Sequence, residues 1–220
     1  MRHWLSTLGE VFWPRGLKCM CCDELSEGNA LCPACRKALR ALRLDRAEAG
    51  EDGIRSVYRY DGTAKALVLL LKGSCLVDAA EVLAADMYEA MKTMAIPPDT
   101  VLTWVTMPVQ RLRIRGIDHG RALCEALGRI SGMPVRQLLT RKGKLHTQRG
   151  LSKEARLQNL SGTLMCEEPL SMPVLLVDDV LTTGATASAC AEVLMAAGAR
   201  AVYVLTATRA MLKKVEDQKG

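Results

Sequence analysis

The chain has 220 residues, 49% hydrophobic and 25% charged, a balance that suits one full α/β domain plus a small appendage. Aromatic residues make up only 4%, with a single phenylalanine, so the core must be aliphatic and rich in methionine. The longest apolar runs, 66–71 and 174–177, are far too short to cross a bilayer, which argues against a membrane span. The net charge of +6 is unevenly placed: residues 111–156 hold 12 Lys/Arg against 3 Asp/Glu, a local +9, and the rest of the chain sums to −3. A charge so localised implies an anionic partner for that segment, the alternative being a merely solvated basic face.

In chain order, residues 1–13 carry no continuous apolar stretch and no small-residue cleavage site, so no signal peptide is read and the cytoplasm is the expected location. Trp4, Leu5, Leu8, Val11 and Phe12 suit one face of a short amphipathic helix docked on the protein's own core. A cysteine-dense stretch over 19–35 leads into an Arg/Ala/Leu/Glu segment that reads as helical to about residue 50. Glu51-Asp52-Gly53 then marks a loop, which divides a small N-terminal unit (1–50) from the main domain (51–220). Strand character over Ile54–Tyr60 is followed by helical spacing over Thr63–Leu71 and Leu76–Met94, stopped by Pro97-Pro98. Val101–Met107 is β-rich, Asp118–Ile130 reads as a helix ended at Ser131-Gly132, and Thr140–Gly150 reads as a loop or hairpin. Val174–Val177 is a short, fully apolar strand; Gly184–Ala197 is a helix, and Ala201–Ala207 is the next strand. Strand, helix and strand within about 35 residues form a βαβ unit, hence a mainly parallel sheet flanked by helices.

Cys19-x2-Cys22 and Cys32-x2-Cys35 are two knuckles nine residues apart. Each CxxC turn lets two thiolates bind one ion, and two turns complete a tetrahedral four-sulfur site suited to Zn2+. Four ligands close the coordination sphere, so the metal would be structural. A redox CxxC is the rival, but it leaves the second knuckle unexplained. Cys21 is the nearest alternative ligand, while Cys75, Cys124, Cys166 and Cys190 sit in apolar or helical contexts and read as small buried hydrophobes.

The densest chemistry lies in Val174–Thr186. A buried parallel strand ends at Val177, and ligands bind beyond the carboxyl ends of such strands. Asp178 and Asp179 arrive there first, two vicinal acids suited to the hydroxyls of a vicinal diol. Thr182-Thr183-Gly184-Ala185-Thr186 follows at a helix start, where backbone N–H groups without intrahelical partners favour an anion. Diol and phosphate recognition about five residues apart fits a ribose 5-phosphate. Neither a G-x-x-x-x-G-K-[ST] nor a G-x-G-x-x-G pattern competes.

This run, Leu-Leu-Val-Asp-Asp-Val-Leu-Thr-Thr-Gly-Ala-Thr, resembles the phosphoribosyl pyrophosphate (PRPP) motif of type I phosphoribosyltransferases. Together with the double knuckle, Pro108-Val109, Arg111-x-Arg113-x-Arg115-Gly116, and Gln148-x-Gly150-Leu151-Ser152 with Arg156 and Asn159, it resembles the ComF family. Members of that family are phosphoribosyltransferase-like proteins, many of them linked to natural competence and DNA uptake. The resemblance spans roughly residues 10–209. It implies a type I phosphoribosyltransferase-like fold in which Asp178 and Asp179 hold the ribose hydroxyls and Leu181–Thr186 the 5-phosphate, with Val180 between them. It places Pro108–Arg115 as the pyrophosphate loop, Arg141–Ser152 as a mobile loop over the site, and Lys72 among the functional residues. Independently, three arginines at alternating positions after a strand end suit a polyphosphate, because guanidinium binds phosphate in a bidentate way. The chain departs from the family's Arg-Gly-Phe-Asn-Gln at Arg115-Gly116-Ile117-Asp118-His119, and Met107 precedes Pro108. His119 and His146 lie in polar basic segments and read as solvated.

Three functions compete. One is a transferase in which Mg2+ bridges pyrophosphate oxygens while Arg111, Arg113, Arg115 and Lys72 neutralise the leaving group. Another is a non-catalytic module that binds single-stranded DNA; with no aromatic residue in 111–156, that binding would be phosphate-driven. A third is a zinc-bearing sensor that binds PRPP and signals to a partner such as a competence-machinery protein.

Overall fold

The computed structural model describes residues 17–50, 53–73, 76–108, 112–113, 116–141 and 163–211. The described elements are α1 (Pro33–Ala41), β1 (Ile54–Arg59), α2 (Gly62–Leu71), α3 (Leu76–Met91), β2 (Val101–Trp104), α4 (His119–Ser131), β3 (Thr140–Arg141), β4 (Leu164–Met165), β5 (Val174–Leu181), α5 (Ala185–Ala196) and β6 (Val202–Arg209). The strands β1, β6, β5 and β2 pair in that order, all parallel. The expected architecture, a parallel sheet flanked by helices, is therefore the one observed.

Side-chain alternation along β5 divides the core. Leu175 and Val177 point into a cluster with α2, α3 and α4, through Leu67, Leu71, Leu83, Met87, Leu123 and Leu127. Val174 and Leu176 point the other way, toward α5, with Ala189, Cys190 and Leu194. The first cluster also takes in Cys19, Leu31, Cys32 and Leu39, so the cysteine unit packs on the α2–α4 face.

Several boundaries differ from expectation. β5 runs on past Val177 to Leu181 because β6 keeps offering backbone partners: Asp178 pairs with Thr206, Val180 with Thr208 and Leu181 with Arg209. On its other side β2 stops at Trp104, opposite Val177. Asp178–Leu181 therefore form a strand end with one edge paired and the other beyond the end of β2. β6 likewise extends to Arg209. The segment to residue 50 is not one helix. α1 starts at its Cys32 cap with Pro33 in the first turn and closes at Leu42. Beyond it Leu44 N–H donates to Val57 O and Arg59 N–H to Leu42 O, so β1 recruits this backbone. α4 ends as expected, with Gly132 at φ 73° in the left-handed region. Thr140–Arg141 pairs antiparallel with Leu164–Met165, the base of a hairpin whose connecting residues lie outside the described residues. The amphipathic segment 4–12 also lies outside them.

Candidate functional site

The extended β5 changes how the acid pair is presented. Successive strand residues face opposite sides, so Asp178 and Asp179 do not project together. Asp179 falls on the α2–α4 side and is buried. Its Oδ2 lies 2.8 Å from Lys72 Nζ, which follows the last turn of α2, and 3.3 Å from His119 Nε2, at the first position of α4. Its backbone carbonyl accepts a 2.8 Å hydrogen bond from the buried Thr208 hydroxyl, and Thr206 and Ser56 continue that polar row at 2.7 Å. The reading of His119 as solvated is thus corrected: its side chain is 17% exposed and lies beside a buried carboxylate. The polarity of its own segment gave no sign of this, because Asp179 comes from another element. His146 lies outside the described residues.

Asp178 is half-buried, and its Oδ1 accepts the Asp179 N–H at 2.8 Å. Burial first, and the neighbouring Asp179 charge second, push its carboxyl up to about 7; the Asp179 N–H, Lys72 and Arg141 pull the other way.

Beyond Leu181 the chain turns through Thr182, Thr183 and Gly184 into α5. The helix starts at Ala185 rather than Gly184, since Gly184 is the cap, at φ 79°, with no side-chain cap bond. A Cβ at Gly184 would meet nothing within 4 Å, so the glycine supplies a left-handed backbone next to open space. Thr183 Oγ1 accepts the Ala185 N–H at 3.4 Å, and Thr182 and Thr183 are exposed. Leu181–Gly184 line a cavity of about 580 Å3 together with Ser188, Arg209 and apolar residues of β1, β6 and α5; Asp178 and Asp179 are not among its lining residues. A second cavity, of about 630 Å3, lies between Trp104, Asp118, Gln137, Thr140 and Arg141. There Trp104 Nε1 donates to Asp118 Oδ2 at 3.1 Å, and Asp118 Oδ1 accepts the N–H groups of Gly120 and Arg121.

Of the arginines expected to bind pyrophosphate, Arg113 is exposed on a turn where Leu112 N–H reaches Pro108 O and Gly116 N–H reaches Leu112 O. Arg111 and Arg115 lie outside the described residues, as do 142–162. Part of the +9 segment is already matched: Arg121 pairs with Glu125, Arg129 with Glu81 and Arg136 with Glu168. Arg141 Nε donates to Thr106 O at 2.7 Å. No helix among the described residues is long and apolar enough to cross a membrane.

The four cysteines converge as their spacing implied. The Sγ atoms of Cys19, Cys22, Cys32 and Cys35 all lie within 4.8 Å of one another, with Cys22 and Cys32 at 3.6 Å, a donor set that fits one Zn2+. Burial opposes the Cys19 thiolate, but backbone hydrogen bonds from Cys32, Cys21 and Cys22 together bring its thiol down to about 6. Cys35 N–H donates to Cys32 Sγ at 3.4 Å, which ties the second knuckle to the start of α1. Cys21 is half-buried against the apolar cluster. Cys124 and Cys190 are buried hydrophobes as expected, and burial raises both thiols. Cys166 is only half-buried and donates to Glu168 O; Cys75 lies outside the described residues.

No family model matches the chain. Curated relatives are similar over most of its length. The DNA utilization protein YhgH of Salmonella typhi is 27% identical over 213 residues, 91% of this chain and 93% of the relative. The protein of the same name from Escherichia coli K12 is 26% identical over 215 residues, 91% and 93% of the two chains. Among solved structures, adenine phosphoribosyltransferase from Leishmania tarentolae is 13% identical, covers 80% of this chain and 87% of that one, and has a TM-score of 0.40. Glutamine PRPP amidotransferase from B. subtilis is 18% identical, covers 59% of this chain and 27% of that one, and also has a TM-score of 0.40.

Proposed function

We propose that the chain is a ComF-like protein of phosphoribosyltransferase type that binds PRPP with Mg2+ and serves DNA uptake or use. The observation that carries the ligand reading is the end of β5, where Asp178, with its raised carboxyl, leads into the exposed Thr182-Thr183-Gly184 turn at the start of α5. Asp178 and Asp179 contact the ribose hydroxyls directly or through the groups that Asp179 holds. Leu181–Thr186 cradle the 5-phosphate with backbone N–H groups and threonine hydroxyls, and Val180 sets the strand ahead of that turn. Arg111, Arg113, Arg115 and Lys72 face the pyrophosphate and stabilise its charge as it leaves. Mg2+ bound with the pyrophosphate would supply further neutralisation of its charge; outside the four cysteines, no group of three metal-binding side chains converges among the described residues. Zn2+ on Cys19, Cys22, Cys32 and Cys35 is structural and orders the N-terminal unit (1–50), whose Cys19, Leu31, Cys32 and Leu39 pack into the core of the domain 51–220. Cysteines that ligate a metal or pack in the core, with no disulfide among the described residues, suit the reducing cytoplasm.

The reading is tested by calorimetry with PRPP and Mg2+ on wild type and on the Asp178→Asn/Asp179→Asn variant. Saturable heat in the first and its loss in the second support the cradle; no heat from wild type at any usable concentration sinks it. A second reading, direct binding of single-stranded DNA or signalling to competence-machinery proteins, is favoured by the name of the relatives, which refers to DNA utilization. Binding by the basic segment would weaken steeply with salt, so an affinity equal at about 50 and 200 mM salt counts against it.

A further inference from the structure

Asp179 faces two basic side chains where one would balance its charge. Its side chain is 6% exposed, and one oxygen, Oδ2, lies near both Lys72 Nζ and His119 Nε2. The two partners differ in reach. Lys72 extends on a flexible four-carbon stem from the end of α2, and its side chain is 27% exposed. His119 is shorter, less exposed, and fixed at the first position of α4 behind its Asp118 cap. A charged imidazole there would meet the Lys72 ammonium across one oxygen, and the positive end of the α4 dipole as well. Both repulsions favour the neutral ring while Lys72 is in place.

We propose that Lys72 and His119 are interchangeable partners of Asp179: an incoming polyanion draws Lys72 away, and His119 takes up a proton in its place. This rests on the reading of the site as a PRPP cradle. The exchange breaks the Lys72–Asp179 ion pair and forms one between Lys72 and a ligand phosphate. One proton passes from solvent to the His119 ring, and no covalent bond to carbon changes. A carboxylate this buried is costly to leave without a positive partner, and the departure of Lys72 removes one of the charges that opposed imidazolium. Among the described residues, the charged groups on the neighbouring elements are placed or paired elsewhere. Asp118 is committed to Trp104 Nε1 and to the N–H groups of Gly120 and Arg121. Asp178, also from β5, lies on the opposite face of that strand, where the charges of Lys72 and, to a lesser degree, Arg141 from β3 act on it. α3 carries Asp78, Glu81, Asp86 and Glu89, of which Glu81 pairs with Arg129, Asp86 with Tyr58 and Arg43, and Glu89 with Lys92, while β2, reading Val-Leu-Thr-Trp, brings no charge.

The ligand-free arm of the test follows the His119 imidazole by NMR pH titration, with its signal assigned by its loss in His119→Gln. In Lys72→Met the ring should titrate about one unit higher than in wild type, a tenfold gain in proton affinity. An unchanged or lower value overturns the exchange. Lys72→Gln is the second variant should methionine fail to fold. In the ligand arm, PRPP with Mg2+ is titrated at pH 7.5 in two buffers of different ionisation enthalpy, into wild type and His119→Gln. Proton uptake by wild type should exceed that by His119→Gln, which retains any contribution from Asp178, by close to one proton per ligand; equal uptake overturns the proposal. Absence of PRPP binding would refute the cradle reading, and the NMR comparison would still decide the exchange at Asp179.

Discussion

Replacing Asp178 by asparagine should stabilise the ligand-free protein at alkaline pH while weakening its ligand binding. Burial, with the Asp179 charge beside it, raises the Asp178 carboxyl from 3.8 to about 7. At 1.36 kcal/mol per unit that is about 4 kcal/mol, and about 2 kcal/mol once partial solvent access is allowed for. The folded state holds this proton more tightly than the unfolded chain does. The cost of the charge is therefore absent below about pH 4, grows between about 4 and 7, and is complete above 7. Asparagine keeps an oxygen to accept the Asp179 N–H, so it removes the charge without orphaning that donor. Urea unfolding of zinc-loaded protein, followed by circular dichroism at pH 5 and pH 8, measures the difference. The variant should gain about 2 kcal/mol over wild type at pH 8 and much less at pH 5. A difference that ignores pH, or a variant less stable at pH 8, would refute the reasoning.

Metal analysis of protein purified without added metal should give about one zinc per chain, and Cys32→Ser should lose it together with the N-terminal unit, since binding energy in such sites is folding energy. Gly184→Val forces a β-branched residue to φ 79°, which should cost about 1–3 kcal/mol in a thermal melt and at least about tenfold in PRPP affinity. Leu175→Ala, at a fully buried position of β5, should cost about 2–5 kcal/mol of stability by urea titration, while spacing between the four cysteines and zinc content stay as in wild type.

What the sequence made legible was local. The four-sulfur cluster follows from two CxxC turns, and the phosphate turn follows from threonines and a glycine after an apolar strand. Distant partners were not legible. Only the apolar half of β5 advertised itself, because the strand through Asp178–Leu181 depends on backbone pairing with Thr206–Arg209 some thirty residues on. Residues 42–50 have a helix-forming composition, yet Leu42 and Leu44 bond to β1 instead. His119 sits among polar neighbours in sequence and beside Asp179 and Lys72 in space. The split of the acid pair between two faces follows from strand alternation once β5 is known to continue past Val177.

The central claim is that the end of β5 and the turn after it cradle a ribose 5-phosphate. A crystal structure of the protein with PRPP and Mg2+ tests it most directly. The account predicts the 5-phosphate within hydrogen-bonding distance of the backbone N–H groups of Thr182–Thr186, with the ribose hydroxyls toward Asp178 and Asp179. Ligand density elsewhere, for instance in the cavity of Trp104 and Gln137 with the turn left empty, would contradict it.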